Sequence, residues 1–135
     1  FVEAVEVPLA ADPRQLRCYK ISKRFDQDIS AVCGCFNISV VNGIVSDPRI
    51  AFGGMAATPK RAKAVEAALA GKPWTRETIE SALGAFEVDF RPISDMRASA
   101  VYRMQVAKNL LRKYFIERGC KPAQTRLVGR DMGIA

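Results

Sequence analysis

The chain has 135 residues, 49% of them hydrophobic, a formal charge of +7 and no histidine. That length suits a single domain, and folding at this size buries roughly two-thirds of the unfolded surface, enough for a core. Without imidazole, Ser-His-Asp and Cys-His catalysis and His-based zinc sites are excluded, and no apolar run approaches the ~20 residues of a membrane span or resembles a signal peptide.

From Phe1, residues 1–8 alternate like an edge strand ending at Pro8. The chain therefore reads as a segment of a longer, cytoplasmic polypeptide. A loop with Asp12 and Pro13 precedes a second strand over residues 15–25, which carries several basic groups. Residues 29–41 form a long β-prone stretch, with Val32, Phe36, Ile38 and Val40 on one face and Cys33, Cys35, Asn37 and Ser39 on the other. Asn42-Gly43 predicts a two-residue hairpin, because both residues tolerate positive φ. The return strand falls near residues 49–56 and contains Gly53-Gly54. No GxGxxG surrounds that pair, so it reads as a bulge or a close backbone approach rather than a phosphate cradle.

Three helices follow. Thr58-Pro59 supplies an N-cap and N1 proline for the first, and Gly71 stops it. Thr75 caps the second, with Trp74 placed to staple against Ile79 and a break near Gly84. The third starts between Ser94 and Ser99, and Ala100, Met104, Ala107, Leu111 and Phe115 recur along it at helical spacing. Arg103 interrupts this apolar arc. A guanidinium there needs a partner, and Asp89 and Asp95 are the acidic candidates nearest in sequence.

Charge is unevenly placed. Residues 1–96 balance, whereas residues 97–135 hold nine basic groups against Glu117 and Asp131. Such a patch suits nucleic acid, an acidic partner or phosphate, but the tail after residue 118 lacks aromatic residues for stacking, which argues against nucleic acid. The cysteines, Cys18, Cys33, Cys35 and Cys120, include no CxxC, so no metal site is expected. Cys33 and Cys35 read as small half-buried thiols, with a redox pair as the alternative.

Strands followed by helices predict an α+β fold: an antiparallel sheet of three to four strands with about three helices packed on one face. The opposite face is too mixed for a deep core and is expected to meet a neighbouring domain. Residues 1–118 form the domain, and 119–135 form a basic tail.

Three blocks, YKISKRFDQDISAV (19–32), AFGGMAATPKRA (51–62) and DFRPISDMRASAVYRMQVAKNLL (89–111), occur in an order and spacing that carry a resemblance. Together they resemble the C-terminal domain of CO dehydrogenase flavoproteins and of the FAD portion of xanthine dehydrogenases, across roughly residues 1–118. The resemblance implies a parent oxidoreductase with a molybdopterin centre, [2Fe-2S] clusters, FAD and NAD as acceptor. This domain would then close over a flavin held mainly by an upstream FAD-binding domain, with iron–sulfur and molybdenum-binding domains or subunits as further partners. It also implies that Lys20 reaches the isoalloxazine side, that residues 22–28 form a loop beside the ring, and that Arg24 and Asp28 match its charged positions. Phe25 and Gln27 depart from the charged residues common there. No catalytic residue is expected in this chain. On physical grounds alone, a lysine-bearing strand and a charged loop suit stabilisation of negative charge on a cofactor. A dimerisation module and a nucleic-acid-binding domain remain the other readings.

Overall fold

A computed structural model of the chain describes residues 1–6, 16–24 and 28–119. Residues 1–6 are exposed and belong to no strand, which corrects the expected first strand; its last two positions, the 12–13 loop, Phe25, Gln27 and the basic tail from Cys120 onward lie outside the described residues.

Four strands form one antiparallel sheet in sequence order: β1 (Leu16–Ile21), β2 (Val32–Val41), β3 (Ile44–Gly53) and β4 (Lys60–Arg61). Consecutive pairing follows from short connections. The β2–β3 turn is the expected one, with φ of 50° at Asn42 and 77° at Gly43. A register shift at Ser39/Val40 lies beside Pro48, which pairs with Ile38. Proline cannot donate to a ladder, and β3 meets β4 only at Ala51 and Phe52, so Pro48 lies where that edge of β3 is open.

Four helices follow: α1 (Lys63–Leu69), α2 (Arg76–Ala82), the single turn α3 (Phe86–Asp89) and α4 (Ala100–Gly119). They cover one sheet face, as the alternation in β2 anticipated. Val32, Phe36, Ile38, Ile50 and Phe52 pack there against Val65, Leu69, Ile79, Phe86, Leu110 and Leu111. Gly34 lies on this same face, where a Cβ would come within 2.6 Å of the Phe52 ring. Its lack of a side chain makes room for the aromatic core, in which Phe36 stacks on Tyr114 at 5.3 Å between centroids.

The start of the first helix departs from expectation. Lys60 and Arg61 pair with β3 as a strand, and α1 begins at Lys63 after an Ala62 that offers no side-chain cap. Its free N–H groups are satisfied from a distance: the buried Asp89 carboxylate accepts from Ala64 (2.9 Å) and Val65 (3.0 Å). Thr75 does cap α2, accepting from the Thr78 N–H at 3.4 Å. Trp74 packs its ring on Tyr114 and Phe115 of α4. Ser99 accepts from the Tyr102 N–H at the start of α4.

Candidate functional site

The feature that best suits ligand contact is a cleft of about 400 Å³ at one end of the sheet. Its walls come from the β1–β2 connection (Lys23, Arg24, Asp28, Ile29, Ala31) and from the segment before α4 (Met96, Arg97). The two walls are tied directly, because Lys23 Nζ donates to the Met96 carbonyl at 2.6 Å.

Arg24 and Asp28 meet as an ion pair at 3.2 Å, and Asp28 also accepts from the Arg24 and Ile29 backbone N–H groups. The Arg24 guanidinium leads these donors in holding the Asp28 carboxyl below its ordinary pKa. Two of the three sequence-predicted site residues are thus brought together. Lys20 is not in the cleft lining. It is exposed on β1 opposite Cys33, on the sheet face away from the helices, at the end of β1 that leads into the connection.

Beneath the cleft lies Arg103, 3% exposed. Its guanidinium donates to the Ala31 carbonyl, to the Gly54 carbonyl at 2.9 Å and to Asp95 Oδ1 at 2.6 Å. Asp95, one of the two expected partners, is the one found; Asp89 caps α1 instead. The backbone N–H groups of Ala98 and Arg97, with Arg103 adding to them, hold the Asp95 carboxyl down to about 2. Arg103 also explains the glycine pair. Gly54 has φ of 79°, and a Cβ there would strike the Ala31 carbonyl oxygen and approach Arg103 Nη1 at 3.1 Å. At Gly54 the close backbone approach expected of the pair is found.

Sequence reasoning missed Lys23, Ile29, Ala31, Met96 and Arg97 as a common lining. The available signal was Arg103, whose place on an apolar arc already pointed towards Asp95 and so towards the segment that forms the second wall.

Among the described residues, five of the basic groups in and just before α4 are ion-paired. Arg97, Arg103, Lys108, Arg112 and Lys113 each pair with a carboxylate, from Asp95, Asp95, Glu87, Glu80 and Glu117 in turn. A helix so paired offers little to a phosphate backbone, whose binding rests on free cations. Among the described residues, no helix is long and apolar enough to cross a membrane. Nor does any group of three or more Cys, Asp or Glu side chains there converge on a point that could hold a metal.

The fold is thus an open-faced α+β sandwich with a charged cleft at one sheet end. The chain belongs to the CO dehydrogenase flavoprotein C-terminal domain family, whose model matches residues 17–118. It is 32% identical over 118 residues to a xanthine dehydrogenase of Emericella nidulans, covering 84% of this chain and 9% of that protein. It is 29% identical over 99 residues to a xanthine dehydrogenase FAD-binding subunit of Escherichia coli O157:H7, covering 73% of this chain and 34% of the subunit. Among solved structures it resembles the carbon monoxide dehydrogenase of Hydrogenophaga pseudoflava, with a TM-score of 0.67 and 31% identity over 73% of this chain and 34% of that one. The chain thus spans about a third or less of the length of the relatives it matches.

Proposed function

We propose that this chain is the flavin-closing domain of a xanthine dehydrogenase-like molybdenum hydroxylase. In this reading Lys20, Arg24 and Asp28 lie beside the isoalloxazine of FAD. The observation that carries it is the charged β1–β2 connection held against the segment before α4 at the cleft, in a domain whose family is shared with FAD-binding subunits. The residues present fit one side of a flavin. Lys20 offers an exposed ammonium and Arg24–Asp28 a paired charge, while Gly54 of the one glycine pair among the described residues is closed in by Ala31 and Arg103, so a diphosphate would be held by the upstream FAD-binding domain. Bound flavin supplies electron and hydride transfer. This chain's own contribution is positive charge beside the ring and exclusion of water from one side. Molybdopterin and [2Fe-2S] centres would belong to the partner domains or subunits, and NAD would be the acceptor entering near the connection.

A pure interaction module is the second reading, favoured by the open sheet face. There Cys33, Cys35, Asn37 and Ser39 are half-buried and small, a surface suited to a neighbouring domain.

The two readings differ over Lys20→Ala in the full-length protein. Loss of a nearby cation should lower the flavin reduction potential and slow NAD reduction, while substrate oxidation at molybdenum continues. Unchanged potential and unchanged NAD kinetics would reject the flavin-side role and leave the interaction role standing.

A further inference from the structure

Three thiols share the open face of the sheet. Cys18 of β1 is exposed, and Cys33 and Cys35 of β2 are half-buried. Strand register separates the possible pairs. Cys18 stands directly opposite Cys35, whereas Cys33 stands between Lys20 on one side and Gly53 on the other. Directly opposed residues of antiparallel strands have Cα atoms about 4.5–5.5 Å apart, inside the roughly 4.4–6.8 Å that a disulfide accepts. Cys33 and Cys35 are two residues apart on one strand, so their side chains run parallel and their Cβ atoms stay roughly 6.6 Å apart, well beyond the roughly 3.5–4.5 Å that a disulfide needs. The diagonal from Cys18 to Cys33 is about 7–8 Å. Only one of the three pairs can be bridged without moving a strand.

We propose that Cys18 and Cys35 form a reversible cross-strand disulfide when the protein meets a hydroperoxide, and that Cys33 takes no part. This differs from the pair suggested by sequence spacing, Cys33 with Cys35, and it is independent of the flavin reading above. The exposed Cys18 sulfur attacks the peroxide oxygen. The O–O bond breaks, the leaving hydroxide (or alkoxide) takes up the Cys18 proton as water (or alcohol), and Cys18 becomes a sulfenic acid. The Cys35 sulfur then attacks the Cys18 sulfur, forming S–S and breaking S–O. The departing hydroxide takes up the Cys35 proton as water. Two thiols are oxidised by two electrons in total, and one peroxide is reduced.

The order of events follows from the surroundings. Cys18 is exposed and meets the peroxide first, whereas Cys35 is half-buried, and burial, with Cys18 and Cys33 alongside, pushes its thiol up to about 12, so it reacts second and gives up its proton as it attacks. Opposed Cβ atoms sit about 4.5–5.5 Å apart, slightly beyond the roughly 3.5–4.5 Å of a relaxed disulfide. With one sulfur exposed, the bridge would be open to thiol exchange and readily reduced. It would pin edge strand β1, which carries Lys20 and leads into the cleft.

The test uses the reduced full-length protein in its native state, exposed to hydrogen peroxide, alkylated and peptide-mapped without reduction. A Cys18–Cys35 linkage that dithiothreitol removes is expected in the native sequence and in Cys33→Ser. In Cys18→Ser the linkage should vanish and Cys35 should remain alkylatable. In Cys35→Ser, Cys18 should be trapped as a sulfenic acid by dimedone. Each serine variant is checked for native circular dichroism before exposure. A bridge involving Cys33 or Cys120, or free alkylation of both Cys18 and Cys35 after peroxide, would overturn the proposal.

Discussion

Arg103→Met tests the clamp that joins the sheet to the cleft. Methionine keeps an unbranched apolar stem but donates nothing, and arginine here is 3% exposed. The substitution removes a charged donor from two main-chain oxygens and from Asp95. Hydrogen bonds to charged groups contribute about 1.5–3 kcal/mol, and an orphaned buried acceptor costs about 1–3 kcal/mol. Ala31 is 3% exposed, so its oxygen is the one stranded, whereas Gly54 and Asp95 are exposed enough to turn to water. One term works the other way. Arg103 Nε is buried without a partner, and methionine removes that cost. The net loss is about 2–4 kcal/mol. At about 4 °C per kcal/mol for a chain of this size, Tm should fall by about 8–16 °C. Urea unfolding followed by circular dichroism should show an earlier midpoint with unchanged slope. As a control, Arg49→Met disrupts a fully surface-placed pair with Asp47 and should leave the midpoint almost where it was. If Arg103→Met shifted Tm by no more than about 2 °C, the clamp would not be structural.

Three further outcomes follow from the same geometry. Asp95 titrates at about 2 in the folded chain against an ordinary 3.8, so its stabilisation is complete above 3.8 and is lost as pH falls towards 2; Asp95→Asn should flatten that acid limb of the midpoint-versus-pH curve, and an unchanged limb would contradict the assignment. Gly54→Ala should destabilise far more than Gly43→Ala in chemical denaturation. Both sit at positive φ, which costs a non-glycine residue roughly 1–2 kcal/mol, but only Gly54 also meets a neighbouring carbonyl, and equal losses would count against the close approach. Asp89→Ala should cost about 1–2 kcal/mol through loss of the α1 cap while Thr58→Ala costs almost nothing; the reverse ranking would restore the local cap expected from Thr58-Pro59.

What could be read in the sequence was what adjacent residues determine. Asn42-Gly43 specifies its hairpin through its own backbone preferences, and Thr75 caps α2 with its own hydroxyl. The core side of β2 followed from alternation. Errors arose where a distant partner decided the outcome. Thr58-Pro59 carries every local sign of a helix start, yet Lys60 and Arg61 gain more by extending the sheet beside Ala51 and Phe52, and α1 then takes its cap from Asp89. The alternation of residues 1–6 finds no neighbouring strand among the described residues, and alternation alone forms no ladder. At the site, charge marked the β1–β2 connection as a whole, and only the resemblance singled out Arg24 and Asp28 within it. Met96 and Arg97 are remote in sequence and became visible only through the wall they share with that connection.

Arg103 joins the three sequence blocks on which the family resemblance was read. Its acceptors are Ala31, Gly54 and Asp95, one from each of residues 19–32, 51–62 and 89–111. Gly54 must be glycine because the Ala31 carbonyl and the guanidinium fill the space of a Cβ. Arg103 can be buried because three oxygens converge on it. Asp95 is fixed in turn by the Arg97 and Ala98 N–H groups, which set the position of the second cleft wall. None of these residues needs to touch a ligand to control the cleft. Displacing any one of them moves Ala31 or the segment bearing Met96 and Arg97, and with it the distance between the walls. One buried guanidinium thus ties the start of β2, the end of β3 and the segment before α4 together beneath the cleft.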